Sequence, residues 1–162
     1  MNLAVFDVDK TLYKGYSSVE FVEFLKSENL FDNDSYKDMQ KLMYEFKQTN
    51  ISYLKTAHDY CEILAEGLKG KSKKDIEIQA RLFFEPNKLF SFSKQLFEFL
   101  KENKYYTLIL SNSLNEVLTE IKKYLDADHV LGIDLETKNS KYTGHVNSNI
   151  HRKNGKELTI KK

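Results

Sequence analysis

LAVFDVDKTLYKG, residues 3–15, is the stretch on which the fold turns. Its first six residues are an apolar run closed by acidic side chains, the pattern of a buried parallel strand that ends at a polar edge. Asp7 and Asp9 then stand at the carboxyl end of that strand, the end where open α/β sheets bind ligands. Two carboxylates this close do not titrate independently. Their mutual repulsion raises one pKa unless a cation sits between them. That suits a division of labour in which one carboxylate attacks and the other, protonated, donates to a leaving oxygen. The plainer alternative is a solvated strand-to-loop turn.

Downstream, the period changes. Val19, Val22 and Leu25 mark one helical face, Tyr36, Met39, Met43 and Phe46 a second, Leu54, Ala57, Cys61 and Leu64 a third, and Ile76, Ala80 and Phe83 a fourth. Polar breaks at 32–34, 49–52 and 67–74 separate them, and Pro86 marks the exit. The spacing therefore predicts an all-helical block over 17–84. After it, Leu89, Phe92, Leu96 and Leu100 line a helix, 105–110 (YYTLIL) reads as a second buried strand, and Leu114 to Leu125 carry another helix face. Residues 129–136 read as a third strand and 141–146 as the return arm of a small hairpin, before a polar tail over 147–162. Strands alternating with helices predict a right-handed parallel α/β core, formed by residues 1–16 and 85–162 and interrupted by the helical block.

The second strand runs into SNSLNEVL. Ser113 and Glu116 have the spacing of a capping box, so a helix is expected to begin near Ser113, with its free N–H groups beside Ser111 as a phosphate cradle. The backbone N–H of Asn112 would add to it. A plain strand-to-helix turn capped by Ser113 accounts for Ser113 and leaves Ser111 unexplained.

Composition sets the outer limits. The 162 residues are 41% apolar and 13% aromatic, with 25 Lys and Arg against 24 Asp and Glu, a formal charge of +1. That balance argues against a nucleic-acid partner. There is no apolar run of about 18 residues to span a membrane, and the N-terminus does not read as a signal peptide. The single Cys61 cannot form an internal disulfide, which fits a reducing, cytoplasmic setting. His58, His129, His145 and His151 lack metal-ligand spacing.

The strand followed by D-x-D-x-T-L and Gly15 resembles motif I of the haloacid dehalogenase superfamily. The resemblance implies a Rossmann-like core with an inserted helical type-1 cap, and a Mg2+-dependent phosphatase acting on a small phosphorylated substrate. It makes Asp7 the phosphorylated nucleophile and a metal ligand. Asp9 becomes the general acid/base, giving its carbonyl to Mg2+. Thr11 takes the loop-supporting position at the phosphate, and Lys10 replaces the glycine most often found there. Ser111 matches motif II. The order of strand, Tyr-Thr-Gly hairpin and Gly-Lys pair resembles phosphoserine-phosphatase-like members, with Lys156 as the motif III lysine and Lys153 as the fallback. In those enzymes a Glu nine residues past the nucleophile reads the substrate amine. Tyr16 stands there in this chain, which disfavours phosphoserine. Tyr13 and Tyr16 are candidates for lining an apolar pocket, whereas Glu20 and Glu23 are expected on a solvated helix side.

The family's fourth motif, a Gly-Asp with a further Asp that completes the metal site, has no match in the sequence. Asp134 precedes the lysine and is out of order; Asp34 and Asp38 belong to the helical block. The family's strand beside strand one is likewise unmatched, which would leave an apolar edge open to pairing. A shortened or split reading frame, or a homo-oligomer that covers the edge, would account for this. The competing reading is a catalytically inactive remnant or interaction module of the same ancestry.

Overall fold

A computed structural model describes residues 2–48 and 52–147. In chain order it comprises β1 (Asn2–Phe6), α1 (Ser17–Ser27), α2 (Asn33–Gln48), α3 (Tyr53–Leu68), α4 (Lys73–Phe83), a 3₁₀ turn (Pro86–Lys88), α5 (Phe92–Glu102), β2 (Tyr105–Leu114), α6 (Asn115–Leu125), β3 (His129–Ile133), β4 (Leu135–Lys138) and β5 (Lys141–Val146). The expected α/β alternation around a helical block is thus present. The described residues fall into two compact units. One takes the chain up to Phe21 and from Glu77 to Gly132; the other takes Val22 to Ile76 and the chain from Ile133 onward.

The first unit is built on a three-stranded parallel sheet in the order β1-β2-β3. β1 and β2 pair in register from Asn2 opposite Tyr105 to Phe6 opposite Ile109. α5 and α6 both pack on β2, burying Leu108, Ile109 and Leu110 against Phe97, Leu118, Ile121 and Leu125. Phe6 meets Phe97 at 4.9 Å between ring centroids. β1, expected to be buried, is an outer strand. Leu3 is 45% and Val5 39% exposed, because the covering helices centre on β2. Where an unbroken helix from Leu89 was expected, Leu89 follows the 3₁₀ turn in extended backbone and bridges Tyr13. α5 then starts at Phe92, which is half exposed, and buries Phe97 and Leu100.

The second unit packs α2 on α3, and β5 on the other side of α3. Asp32 ends the loop before α2, its carboxylate accepting from the N–H groups of Asp34 (3.0 Å) and Ser35 (2.9 Å), a side-chain cap. Phe31 lies over Gly67, where a Cβ would come within 2.1 Å of the ring. The buried face of α3 is Tyr60, Cys61, Leu64, Ala65 and Leu68; Leu54, assigned to that face from its spacing, is 37% exposed. The third strand expected over 129–136 is two strands. It breaks at Asp134, and the second piece, β4, pairs antiparallel with β5 as the expected hairpin. Asp134 closes that hairpin, its carbonyl accepting from Asn147 N–H at 2.8 Å. Gly70 N–H donates to Tyr142 O (2.8 Å) and Tyr142 N–H to Lys71 O (3.0 Å), so β5 is held along both edges.

Candidate active site

The loop that carries the two aspartates is wound around one carbonyl. Val8 O accepts from the N–H groups of Thr11 (3.1 Å), Leu12 (2.9 Å) and Tyr13 (2.9 Å), and Lys10 N–H returns to Tyr13 O at 2.8 Å. So tight a turn forces Lys10 to φ 61°, the left-handed region that glycine enters most cheaply. The loop is fixed from outside as well. Phe90 N–H donates to Leu12 O (2.9 Å) and Lys14 N–H to Lys88 O (2.9 Å), while Leu12 and Tyr13 are buried.

Asp7 is the first residue past β1 and is exposed. Phe6 stands opposite Ile109, two residues short of Ser111. Asp7 and Ser111 therefore emerge side by side, roughly one strand spacing (~4.8 Å) across and one residue step (~3.3 Å) along. Ser111 is 2% exposed, and Asn112 follows it on β2, half-buried. Thr11 lies on the turn itself, exposed. These sequence-derived candidates share one end of the sheet in the first unit.

Asp9 faces inward. Its Oδ1 accepts two hydrogen bonds from Ser17, one from the backbone N–H at 2.8 Å and one from the hydroxyl at 2.6 Å. Ser17 Oγ is in turn 2.6 Å from Ser113 Oγ, and both serines are fully buried. Burial pushes the Asp9 carboxyl above its ordinary range. The Ser17 bonds pull it down, and the charges of Asp7 and Glu20 add smaller upward pushes. The carboxylate repulsion expected from sequence is thus secondary to desolvation.

This arrangement overturns the capping expectation. β2 continues through Leu114, α6 begins at Asn115, and its N-cap, Leu114, makes no side-chain cap. The Ser113 hydroxyl is engaged with Ser17 instead, and the helix starts one residue further from Ser111 than a cap at Ser113 would set it. Asn115 Oδ1 accepts from Gly132 N–H at 2.7 Å, tying the helix start to β3. Gly132 allows that approach: a Cβ there would lie 2.5 Å from the Ser113 carbonyl oxygen and 2.5 Å from Leu118 Cδ1.

Glu20, expected on a solvated face, faces the loop. Its carboxylate accepts from Tyr13 OH (2.9 Å), Tyr16 N–H (3.2 Å) and Lys88 Nζ (3.3 Å). The reach back of four residues satisfies the Tyr16 N–H just ahead of the first turn of α1. Gly15 is what lets it pass, since a Cβ there would fall 1.8 Å from Glu20 Oε1. Tyr13 is 2% exposed and is core, not pocket lining. Burial, then the Glu20 bond, pushes its phenol up. Tyr16 is 54% exposed, with Lys10 Nζ 4.8 Å from its ring centroid.

Ser17, Ser113 and Glu20 escaped the sequence reading as site residues. The available signal was Ser17 two residues past Gly15, where the loop must re-enter the fold. Lys156 and Lys153 lie outside the described residues. As for a metal, no group of three or more His, Cys, Asp or Glu side chains comes together among the described residues. The donors at the loop, the Asp7 carboxylate and the Asp9 carbonyl, are hard oxygens, the kind Mg2+ takes when phosphate and water complete its shell.

The Asp-rich loop at the carboxyl end of β1, beside a serine at the end of β2 in a parallel α/β sheet, agrees with the family that matches the sequence. The chain belongs to the haloacid dehalogenase-like hydrolases, whose family model matches residues 4–161. Among solved structures it is similar to a phosphoserine phosphatase captured as a phospho-aspartyl intermediate analogue, at 18% identity and TM-score 0.64, covering 99% of this chain and 69% of that one. It is also similar to a protein of unknown function from Bordetella pertussis Tohama I, at 18% identity and TM-score 0.78, covering 98% and 72%. A phosphoserine phosphohydrolase-like protein from Francisella tularensis aligns at 19% identity and TM-score 0.63, covering 99% and 74%. At these identities the likeness is one of fold. No curated protein matches the chain by sequence. No helix among the described residues is long and apolar enough to cross a membrane.

Proposed function

We propose that the protein is a Mg2+-dependent phosphomonoester hydrolase working through an aspartyl-phosphate on Asp7. Asp7 attacks phosphorus while Asp9, protonated, gives its proton to the departing ester oxygen. Asp9 then takes a proton from the water that attacks the acyl phosphate, so Asp7 returns as a carboxylate and inorganic phosphate leaves. Ser111, the Asn112 N–H, Thr11 and Lys156 are the residues assigned to hold the phosphoryl oxygens. Phosphoryl transfer gains chiefly from positioning and charge neutralisation. A bound Mg2+, held by the Asp7 carboxylate and the Asp9 carbonyl, would supply part of that neutralisation.

The observation that carries this reading is the contrast between the two carboxylates. Asp7 is exposed at the sheet end beside Ser111. Asp9 is half-buried, and desolvation pushes its carboxyl up, the direction a general acid needs. The substrate is a small phosphate monoester. Tyr16, at the position that reads the amine in phosphoserine phosphatases, speaks against phosphoserine, and the helical segment 17–84 is the candidate lid that selects the alcohol. A cytoplasmic location fits the lone, buried Cys61.

Hydrolysis of p-nitrophenyl phosphate, with and without Mg2+ and with Asp7→Asn, tests the proposal. Metal-dependent turnover that disappears in Asp7→Asn supports it. A folded protein with neither turnover nor beryllofluoride binding would favour the inactive-remnant reading.

A further inference from the structure

The hydrogen bonds around Asp9 fix the orientation of its carboxyl group. Oδ1 receives the Ser17 backbone N–H at 2.8 Å. An amide can only donate, so Oδ1 is an acceptor in that contact. The Ser17 hydroxyl, 2.6 Å from the same oxygen, has one hydrogen, which goes to Oδ1 as well. Ser17 Oγ must then accept in its 2.6 Å contact with Ser113 Oγ, so Ser113 is the donor. Oδ1 is thus held by two contacts from one residue, which fixes the plane of the carboxyl group. No hydrogen bond from the described residues reaches Oδ2.

We propose that Ser113 and Ser17 form a buried hydroxyl relay that locks the Asp9 carboxyl group in one orientation, with Oδ1 held by Ser17, and that Ser113 is a positioning residue for the acid step. Without the Ser113 donor, the Ser17 hydroxyl is free to turn towards other acceptors, Oδ1 loses its second donor, and the carboxyl group is held by the Ser17 N–H alone. Ser113 touches neither Asp7 nor substrate in this scheme and acts only through Ser17. Both serines are fully buried, so the relay is closed off from bulk solvent. The inference rests on the phosphatase reading for its chemistry, though the relay itself does not.

A misplaced general acid matters most when the leaving group is a poor one. The test compares phenyl phosphate with p-nitrophenyl phosphate, whose leaving group departs with little help from an acid. In Ser113→Ala, kcat/KM for phenyl phosphate, which reports the step in which the alcohol leaves, is expected to fall about tenfold, a fraction of what a full general acid supplies. kcat/KM for p-nitrophenyl phosphate should change less than about threefold. Ser17→Ala should repeat the pattern, and the double variant should add little to either alone. An equal fall in kcat/KM on both substrates would show that Ser113 merely supports the fold and would overturn the inference.

An activity-free arm follows the Ser17 amide proton by NMR, with thermal melts confirming that each variant is folded. Its hydrogen exchange should accelerate and its resonance move upfield in Ser113→Ala. If the protein turns over neither substrate and the Ser17 amide still responds, the phosphatase reading fails and the relay stands. A Ser17 amide that is indifferent to Ser113→Ala removes the relay.

Discussion

Gly132→Ala tests whether the end of β2 is as tightly held as the site requires. An added Cβ would lie 2.5 Å from the Ser113 carbonyl oxygen, 2.5 Å from Leu118 Cδ1 and 2.8 Å from Asn115 Oδ1, where real contacts do not come under 3.0 Å, so two neighbours must each yield at least 0.5 Å. None gives way easily. The Ser113 oxygen is backbone, Leu118 is fully buried, and Asn115 Oδ1 is already bonded to Gly132 N–H. Overpacking of this kind costs about 1–3 kcal/mol. The usual gain from replacing glycine, through a stiffer unfolded chain, is about 0.4–1 kcal/mol. Strain wins, leaving a net loss of about 1–2 kcal/mol and a Tm lower by roughly 2–8 °C for a chain of this size. The displaced Ser113 carries Ser17 and Asp9 with it, so hydrolysis of phenyl phosphate should fall more steeply than stability. Urea unfolding and steady-state kinetics on the same preparation read both. A variant as stable as the parent, with unchanged kcat, would refute the claim that β3 pins the end of β2.

Three further outcomes follow from the local chemistry. Asp9→Asn should stabilise the protein at pH 7. Burial raises the folded-state pKa of Asp9, so its contribution to stability is full below the unfolded pKa of about 3.9 and is lost as pH rises through the folded value. The advantage of Asn, measured by thermal melts across pH, should therefore shrink towards acid. Lys10→Gly should leave stability within about 1 kcal/mol of the parent: relief of the left-handed residue is worth about 1–2 kcal/mol, and a glycine entropy cost and an exposed cation–π contact with Tyr16 of about 0.5–1 kcal/mol each offset it. Denaturant midpoints decide it, and a loss well beyond that would mean the Tyr16 contact dominates. Cys61, 1% exposed and pushed up to about 12 by burial, should resist thiol reagents at neutral pH in the native protein and react once it is unfolded in urea.

The parts of the fold that depend on local pattern were legible in the sequence. The apolar run closed by Asp7 and Asp9, the helical faces built on Met39, Cys61, Leu64, Ile76 and Ala80, and the hairpin return at 141–146 all depend on residues a few positions apart. The parts set by distant partners were not. Ser113 and Glu116 have the spacing of a capping box, yet Ser113 is claimed by Ser17, 96 residues away, and β2 runs on past it. Residues 129–136 look like one strand because nothing local marks the point, at Asp134, where the chain leaves the β1-β2-β3 sheet for the hairpin. Leu3 and Val5 look like core because apolar alternation does not reveal which strand lies on the outside. At the site, the placing of Asp7 and Asp9 at the end of the first strand was legible from the local pattern, whereas Ser17, Ser113 and Glu20 are ordinary residues whose contacts come from what they meet in three dimensions.

The most direct test of Asp7 as nucleophile is chemical trapping. The protein is mixed with p-nitrophenyl phosphate and Mg2+, quenched in acid, reduced with borohydride and mapped by peptide mass spectrometry. The account predicts conversion of the side chain at position 7 to the reduced alcohol, dependent on substrate and absent in Asp7→Asn. Turnover without that mark, or a mark on any other residue, would contradict it.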